Sequence, residues 1–218
     1  MRDQVVNGIE TSRIVAILRG LKKEQILPAA RALCGGGIRL LEVTFQQRRP
    51  DTWEETVGII ETLRGHCGGE LLVGAGTVLT EEQVELAYRA GAQYIISPDT
   101  RAAVIARTRE LGMVSIPGAM TATEILAAHQ AGADFVKIFP AAVLGPAYVK
   151  AVCAPISHVR LMAVGGVDSK NAADFLRAGA CCVGAGGKLA CAAAIAEGRF
   201  EKLTEAAREL VEAVRGAT

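Results

Sequence analysis

Short apolar runs alternate with longer helical segments along the whole of this 218-residue chain. The runs are brief, rich in β-branched residues and bounded by glycine, proline or polar residues, as strands usually are. The sequence therefore predicts eight strands, at residues 14–19, 38–45, 71–75, 94–97, 113–117, 135–139, 160–164 and 181–184. Helical periodicity predicts helices at 23–34, 52–64, 81–90, 101–111, 122–131, 147–153 and 169–178, and a last one from about 200 to 215.

Several of the predicted helices end in a glycine that leads straight into the next strand. Gly91, Gly112, Gly132 and Gly179 follow this pattern, several of them at roughly twenty-residue spacing, the length of one βα unit. Glycine suits this position because it adopts the left-handed conformation after a helix without steric penalty. Eight strand–helix units predict an α/β fold, a single (β/α)8 TIM barrel with residues 1–218 as one domain. An open, doubly wound sheet is the alternative.

The composition argues against several classes of partner. The formal net charge is +1 with mixed charges along the chain, so neither nucleic-acid nor membrane binding is expected. The polar first residues lead into no signal-like run, which predicts a cytoplasmic location. Six cysteines form no C-x-x-C pair and three histidines are scattered, so no metal site is expected. Cys181 and Cys182 are interpreted as small core residues.

One lysine interrupts the otherwise apolar sixth strand. Alternation places Phe135, Lys137 and Phe139 on one face of this strand, and Val136 and Ile138 on the other. An amine among apolar neighbours is expected to have a lowered pKa, and a neutral amine is a nucleophile. The alternative is a lysine that extends from a strand end into solvent. It is disfavoured because three apolar residues follow the lysine.

Other candidate residues lie near the carboxyl ends of the strands, where barrels of this kind place their sites. Glu42 is a carboxylate in an otherwise apolar second strand. It is either an acid–base group or a structural partner that neutralises Lys137. Arg19 ends the first strand and is either a ligand contact or a solvated charge. Thr77 follows the third strand and is either a ligand contact or a helix cap, and Pro98 follows the fourth strand.

Glycine-rich segments follow the last two strands. Gly165 and Gly166 come after the seventh, and the segment Gly184-Ala185-Gly186-Gly187 ends the eighth. Each is either a tight turn or part of a phosphate site built from backbone N–H groups. Their occurrence on both of the last two strands favours phosphate binding.

The motifs together resemble a known family, the class I 2-keto-3-deoxy-6-phosphogluconate (KDPG) aldolases, which are often bifunctional as 4-hydroxy-2-oxoglutarate (KHG) aldolases. The resemblance covers nearly the whole chain, and the combination of motifs is specific although each one alone is not. In chain order the motifs are Leu41-Glu42-Val43-Thr44, Val73-Gly74-Ala75-Gly76-Thr77-Val78, Ile96-Ser97-Pro98, Ile116-Pro117-Gly118, Phe135-Val136-Lys137-Ile138-Phe139-Pro140 and Gly165-Gly166-Val167.

The resemblance implies a (β/α)8 barrel, usually a trimer, that acts on a small 2-oxoacid without a cofactor. It implies that Lys137 forms the Schiff base, that Glu42 is the general acid/base and that Thr77 contacts the substrate carboxylate. The glycine-rich ends would hold a phosphate. The expected substrate-binding residues are Arg19, Thr77, Pro98, Phe139, Gly165, Gly166, Gly184 and Gly186.

Two positions depart from the family pattern. Some members have an arginine as a carboxylate clamp where this chain has Gln46. Arg19 is the expected substitute, with Arg48 or Arg49 as alternatives. Members that favour phosphorylated substrates often have threonine before the Gly-Gly pair and serine in the last glycine turn. This chain has Val164 before the pair and glycine in the turn, so two hydroxyl groups are missing and preference for a phosphorylated substrate is left open.

The resulting hypothesis is a metal-independent aldolase that cleaves a 4-hydroxy-2-oxoacid into pyruvate and an aldehyde. Two other functions fit the same residues. One is a phosphosugar isomerase or epimerase that uses Glu42 and Lys137 for proton transfer alone. The other is a barrel that binds an oxoacid or phosphosugar without catalysis.

Overall fold

The computed structural model describes residues 2–67, 69 and 71–217. Within these residues one sheet is formed by nine strands: β1 (Ile14–Leu18), β2 (Leu40–Thr44), β3 (Leu72–Gly76), β4 (Tyr94–Ile96), β5 (Val114–Ile116), β6 (Gly118–Ala119), β7 (Val136–Ile138), β8 (Leu161–Val164) and β9 (Cys182–Ala185). The helices are α1 (Arg2–Ser12), α2 (Lys23–Gly35), α3 (Trp53–Cys67), α4 (Glu81–Arg89), α5 (Ala102–Glu110), α6 (Ala122–Gln130), α7 (Ala141–Cys153), α8 (Ala172–Arg177), α9 (Ala192–Ala196) and α10 (Glu201–Arg215).

Strands β5 and β6 are two segments of one barrel strand, separated only by Pro117. All paired strands are parallel, and the sheet runs from β5 through β4, β3, β2, β1, β9, β8 and β7 to β6. The Lys137 N–H donates to the Pro117 carbonyl (2.8 Å), and the Asp134 N–H donates to the Ser115 carbonyl (2.9 Å). These bonds join the two ends of the sheet. They confirm the predicted eight-stranded barrel and exclude the open sheet.

Alternate residues of each strand face two separate apolar layers. Val136 and Ile138 pack between the sheet and the surrounding helices, whereas Phe135 packs inside the barrel with Tyr94 and Met162. The predicted glycine ends of the helices are confirmed. The four glycines have φ between 73° and 111°, and each N–H donates to the carbonyl three residues earlier.

Three helical features differ from the sequence prediction. Helix α1 was not predicted, because residues 2–12 are mostly polar, yet Val5 and Ile9 are buried among the inward-facing residues of the barrel. Because α1 ends immediately before β1, it closes the amino-terminal end of the barrel. Helix α7 begins at Ala141 rather than at residue 147, with a break at Gly145 (φ 78°, ψ 164°) just before Pro146. The short helix α9 was also not predicted.

Two further observations concern the burial of two adjacent cysteines and the search for a membrane-spanning helix. Cys182 is fully buried in the barrel core, as predicted, whereas Cys181, just before β9, is only half-buried. In the part of the chain that the structure describes, every helix is too short or too polar to cross a membrane.

Candidate active site

An open cavity of about 860 Å³ lies at the carboxyl ends of the strands. All ten residues predicted for catalysis or substrate binding line this one cavity, although they come from seven different strand ends. The ten are Arg19, Glu42, Thr77, Pro98, Lys137, Phe139, Gly165, Gly166, Gly184 and Gly186.

Lys137 lies in the middle of β7 and is 6% exposed. Its Nζ atom lies 4.7 Å from the centre of the Phe139 ring, and Phe135 packs on the same face of the strand inside the barrel. Burial lowers the pKa of the Lys137 amine, the nearby charge of Arg19 lowers it further, and Glu42 opposes this. The alternation predicted for this strand is confirmed, and the amine faces the cavity rather than bulk solvent. A lowered pKa increases the neutral, nucleophilic fraction of the amine.

Glu42 lies on the inward face of β2 and is 1% exposed. Burial raises the pKa of its carboxyl group, while Lys137 and Arg19 act in the opposite direction. Its Oε2 atom is buried and has no hydrogen-bond partner among the described residues. No direct ion pair joins Glu42 to Lys137 within residues 2–67, 69 and 71–217. The geometry therefore does not favour the alternative in which Glu42 only neutralises Lys137 as a structural ion pair.

Gly76 makes room for the Glu42 carboxylate. Gly76 is the last residue of β3, the strand next to β2, and a Cβ atom added there would lie 1.7 Å from Glu42 Oε1. Any other residue at this position would displace the carboxylate. The Gly74-Ala75-Gly76 run was visible in the sequence, but its steric role depends on a side chain from the neighbouring strand.

Thr77 is held in the left-handed backbone region, with φ 55°. The Gln47 side-chain amide donates to the Thr77 carbonyl, and the amide of Gln83 in turn donates to Gln47 Oε1 (3.1 Å). Gln83 is fully buried, and its own carbonyl oxygen accepts the Leu79 N–H (2.7 Å). The two glutamines thus fix the loop that presents Thr77 to the cavity. The sequence predicts Gln83 only as part of a helix cap that begins at Thr80, and it predicts no role for either glutamine in supporting Thr77.

Among the residues that the structure describes, Arg19 is the arginine that lines the cavity, and it lies just after β1. Gln46, Arg48 and Arg49 are exposed and are not part of the cavity wall. Arg49 instead pairs with Asp51 at 2.7 Å. Of the three arginines considered from the sequence, the geometry thus favours Arg19 as the carboxylate contact.

The loops after β8 and β9 form the far wall of the cavity. Gly165 and Gly166 have φ of 96° and 76°, and a Cβ atom at Gly166 would lie 2.5 Å from that of Ala142. Asp168 and Lys188 also line this wall, and their side chains form an ion pair. Lys188 was not singled out from the sequence, because a lysine in a loop gives no signal of its contacts.

The fold and the site together define a class of protein: a parallel barrel enzyme with a buried amine and a buried carboxylate facing one cavity. The family model "Aldolase: KDPG and KHG aldolase" matches residues 5–206. The chain belongs to this aldolase family, as the sequence motifs predicted.

Named relatives agree with this assignment. The 2-dehydro-3-deoxy-6-phosphogalactonate aldolase of Escherichia coli K12 is 38% identical over 79% of this chain and 81% of its own. The 2-dehydro-3-deoxy-phosphogluconate aldolase of Treponema pallidum is 34% identical over 96% of this chain and 97% of its own. A solved KDPG aldolase of Legionella pneumophila, with pyruvate captured at low pH as a covalent carbinolamine intermediate, is 28% identical over 96% of this chain and 98% of its own, with a TM-score of 0.85.

Proposed function

We propose that this protein is a class I aldolase that reversibly cleaves KDPG, KHG or both into pyruvate and an aldehyde. The aldehyde is glyceraldehyde 3-phosphate from KDPG and glyoxylate from KHG. The observation that carries the proposal is the buried Lys137 amine, which faces the same cavity as the buried Glu42 carboxylate. Family membership supports the reaction class.

The proposed reaction begins when the neutral Lys137 amine attacks the 2-keto carbon of the substrate. Glu42 passes protons, directly or through water, while the carbinolamine loses water and becomes an iminium ion. The iminium withdraws electrons, so the C3–C4 bond breaks as Glu42 accepts the proton of the C4 hydroxyl group. The aldehyde leaves, C3 of the enamine is protonated, and water releases pyruvate from Lys137. The buried, unpartnered Oε2 of Glu42 is suited to this proton transfer.

The remaining residues of the cavity are proposed to bind the substrate. Arg19 and Thr77 orient the carboxylate, and the guanidinium of Arg19 can do so through two hydrogen bonds. Pro98 and Phe139 form the apolar wall beside the reacting carbons. Gly165, Gly166, Gly184 and Gly186 approach the far end of the substrate with backbone atoms only.

The test is pyruvate release from four purified substrates: KDPG, its galactonate epimer, the dephosphorylated form of KDPG, and KHG. Exchange of the methyl protons of pyruvate into deuterated water is measured in parallel. The proposal predicts pyruvate release from at least one of KDPG and KHG, together with proton exchange. Isomerisation or epimerisation without pyruvate release would favour a phosphosugar isomerase or epimerase instead. Binding of pyruvate without proton exchange would favour the non-catalytic barrel.

We further propose that residues 1–218 form one domain and that the protein is a cytoplasmic homotrimer, as the resemblance implies. Two large apolar side chains are exposed on the segments that follow β6 and β7 and support an interface there: Met120 (48% exposed) and Val143 (79% exposed). Light scattering should give a trimer mass for the wild type and a smaller mass for Val143→Glu. A monomeric wild type would contradict the trimer without affecting the aldolase proposal.

A further inference from the structure

We propose that Lys188 is a specificity-determining residue whose ammonium group binds the distal phosphate of a phosphorylated 2-oxoacid substrate. The inference rests on the proposed aldolase function. It adds to the proposed phosphate end of the cavity a charged side chain that the family motifs do not supply.

The position of Lys188 carries the first part of the argument. Lys188 directly follows the Gly186-Gly187 turn after β9 and lines the same cavity as Lys137. The facing loop after β8 contributes Gly165 and Gly166 to the same wall. A substrate whose keto carbon is bonded to Lys137 would direct its far end towards this wall.

Charge carries the second part. Asp168 lines this wall too, and its side chain is only 15% exposed. The hydrogen bond from Lys188 is the main cause that lowers the pKa of the Asp168 carboxyl group, so this group is a carboxylate at neutral pH. An isolated carboxylate beside the cavity would repel a phosphate dianion. The ammonium group of Lys188 cancels this charge, and since an ammonium has three N–H donors, two are left for a ligand.

The Lys188 side chain is 74% exposed, but Asp168, its ion-pair partner, is held in place by hydrogen bonds. Asp168 Oδ1 accepts the Lys170 N–H (2.9 Å), and the Asp168 N–H donates to the side chain of Asn171 (3.0 Å). The amide of Asn171 donates to the Gly166 carbonyl (2.9 Å). One network therefore ties the Lys188–Asp168 pair to the Gly166 turn. The pair lies on the same wall of the cavity as the two glycine turns, where the hydroxyl groups of other family members are missing.

The ion pair also borders a second cavity of about 340 Å³, lined by Ser169, Lys170 and Glu209 on its other side. Lys170 faces this second cavity and not the catalytic one. It is therefore a matched control for Lys188: both lysines are next to Asp168, but only Lys188 borders the cavity of Lys137.

The experiment compares KM for KDPG with KM for its dephosphorylated form in the wild type, Lys188→Met, Lys188→Arg and Lys170→Met. Lys188→Met should raise the ratio of KM for KDPG to KM for its dephosphorylated form about tenfold. This is the size of effect expected for the loss of one charge-assisted hydrogen bond. Lys188→Arg should restore at least part of the preference, and Lys170→Met should leave the ratio unchanged. The double variant Asp168→Asn/Lys188→Met should bind KDPG better than Lys188→Met, because the uncompensated carboxylate is gone.

If Lys188→Met leaves this ratio unchanged, even though both KM values rise, the inference is overturned. The proposal that the protein is an aldolase is not affected by that result. A wild type that prefers the dephosphorylated substrate overturns the inference as well. A second readout needs no turnover: inorganic phosphate should raise the melting temperature of the wild type and of Lys170→Met more than that of Lys188→Met. If the wild type releases pyruvate from no substrate, the proposed function itself has failed, which is a different result from a failure of Lys188.

Discussion

Lys137 is buried on a strand whose other residues are apolar, and this single fact accounts for most of its expected chemistry. Burial penalises the charged form of both Lys137 and Glu42, so it shifts the pKa of the amine down and that of the carboxyl up. The two groups are thus brought closer to the pH range in which each can exchange a proton. Their mutual attraction only moderates these shifts.

The pH dependence of the reaction follows from the lowered pKa of Lys137. Only the neutral amine attacks the keto group, so kcat/KM should rise as the pH rises through the pKa of Lys137 in the free enzyme. The midpoint of this rise should lie below 10.5, the ordinary value for lysine. A pH–rate profile with KDPG or KHG measures it. A midpoint at or above 10.5 would show that the amine is not desolvated in solution.

Glu42→Gln should separate activity from stability. Turnover should fall about 10²–10⁴-fold, because the proton-transfer group is lost. Unfolding in denaturant should show that the variant is more stable than the wild type by about 1 kcal/mol at pH 8, because the buried carboxylate is no longer charged. The folded-state pKa of Glu42 is raised, so the penalty is full above that pKa, declines as the pH falls below it and is lost near the ordinary value of 4.5. The gain should therefore shrink in acid, and unchanged turnover would count against the role of Glu42.

The direction in which the site side chains of the strands face was predictable, because period-two alternation depends only on the local sequence. It placed Lys137, Glu42 and Phe139 towards the barrel interior. The roles of Gly76 and Gln83 could not be predicted, since each depends on a side chain from another element: Glu42 in the first case and Gln47 in the second.

Between neighbouring strands, the last residue of β3 must leave room for the Glu42 side chain of β2. Gly76→Ala would put a methyl group where Glu42 Oε1 lies. The carboxylate must move, and turnover should fall about 10²-fold, as is typical for a displacement of about 1 Å in a catalytic group. Steady-state kinetics with KDPG or KHG would measure the loss.

Gly65→Ala is the matched control for this substitution. Gly65 lies in α3, where an added methyl group meets nothing within 4 Å. Alanine should therefore leave turnover unchanged and stabilise the helix by about 1 kcal/mol. If Gly76→Ala kept full turnover, the position of the Glu42 carboxylate would not matter for catalysis.

The sequence predicted the barrel strands and most helices, because amphipathic periodicity and glycine stops are local signals. Helix α1 was missed, since a short helix with only Val5 and Ile9 buried has a weak periodic pattern. The early start of α7 was missed too, because Gly145 and Pro146 separate its first turn from the rest of the helix.

At the scale of the whole molecule, closure of the barrel depends on the seam between β5 and β7. Asp134 lies at this seam and is 7% exposed. Its carboxylate accepts the Ser115 N–H (2.9 Å) and pairs with Arg2 of α1 and with Arg109 of α5 (3.1 Å). One buried side chain thus links the seam to two helices, which no local sequence pattern could reveal.

Asp134→Ala should destabilise the protein by about 2–3 kcal/mol, because it leaves the Ser115 N–H and the Arg109 guanidinium without this partner and removes one of the two carboxylates that pair with Arg2. Both arginines are partly exposed and regain water, which keeps the loss at the lower end of the range for buried pairs. Denaturant unfolding measures it. Asp51→Ala, which removes an exposed pair with Arg49, should leave the unfolding midpoint unchanged. Equal midpoints for both variants would contradict the role of Asp134 in closure.

The measurement that tests the central claim most directly is reductive trapping. The protein is incubated with pyruvate and borohydride, digested, and the reduced adduct is located by mass spectrometry. We predict one adduct, on Lys137, which is absent in Lys137→Met and retained in Lys150→Arg, a control at an exposed lysine of α7. Trapping at another lysine, or no trapping at all, would contradict the assignment of Lys137 as the Schiff-base residue.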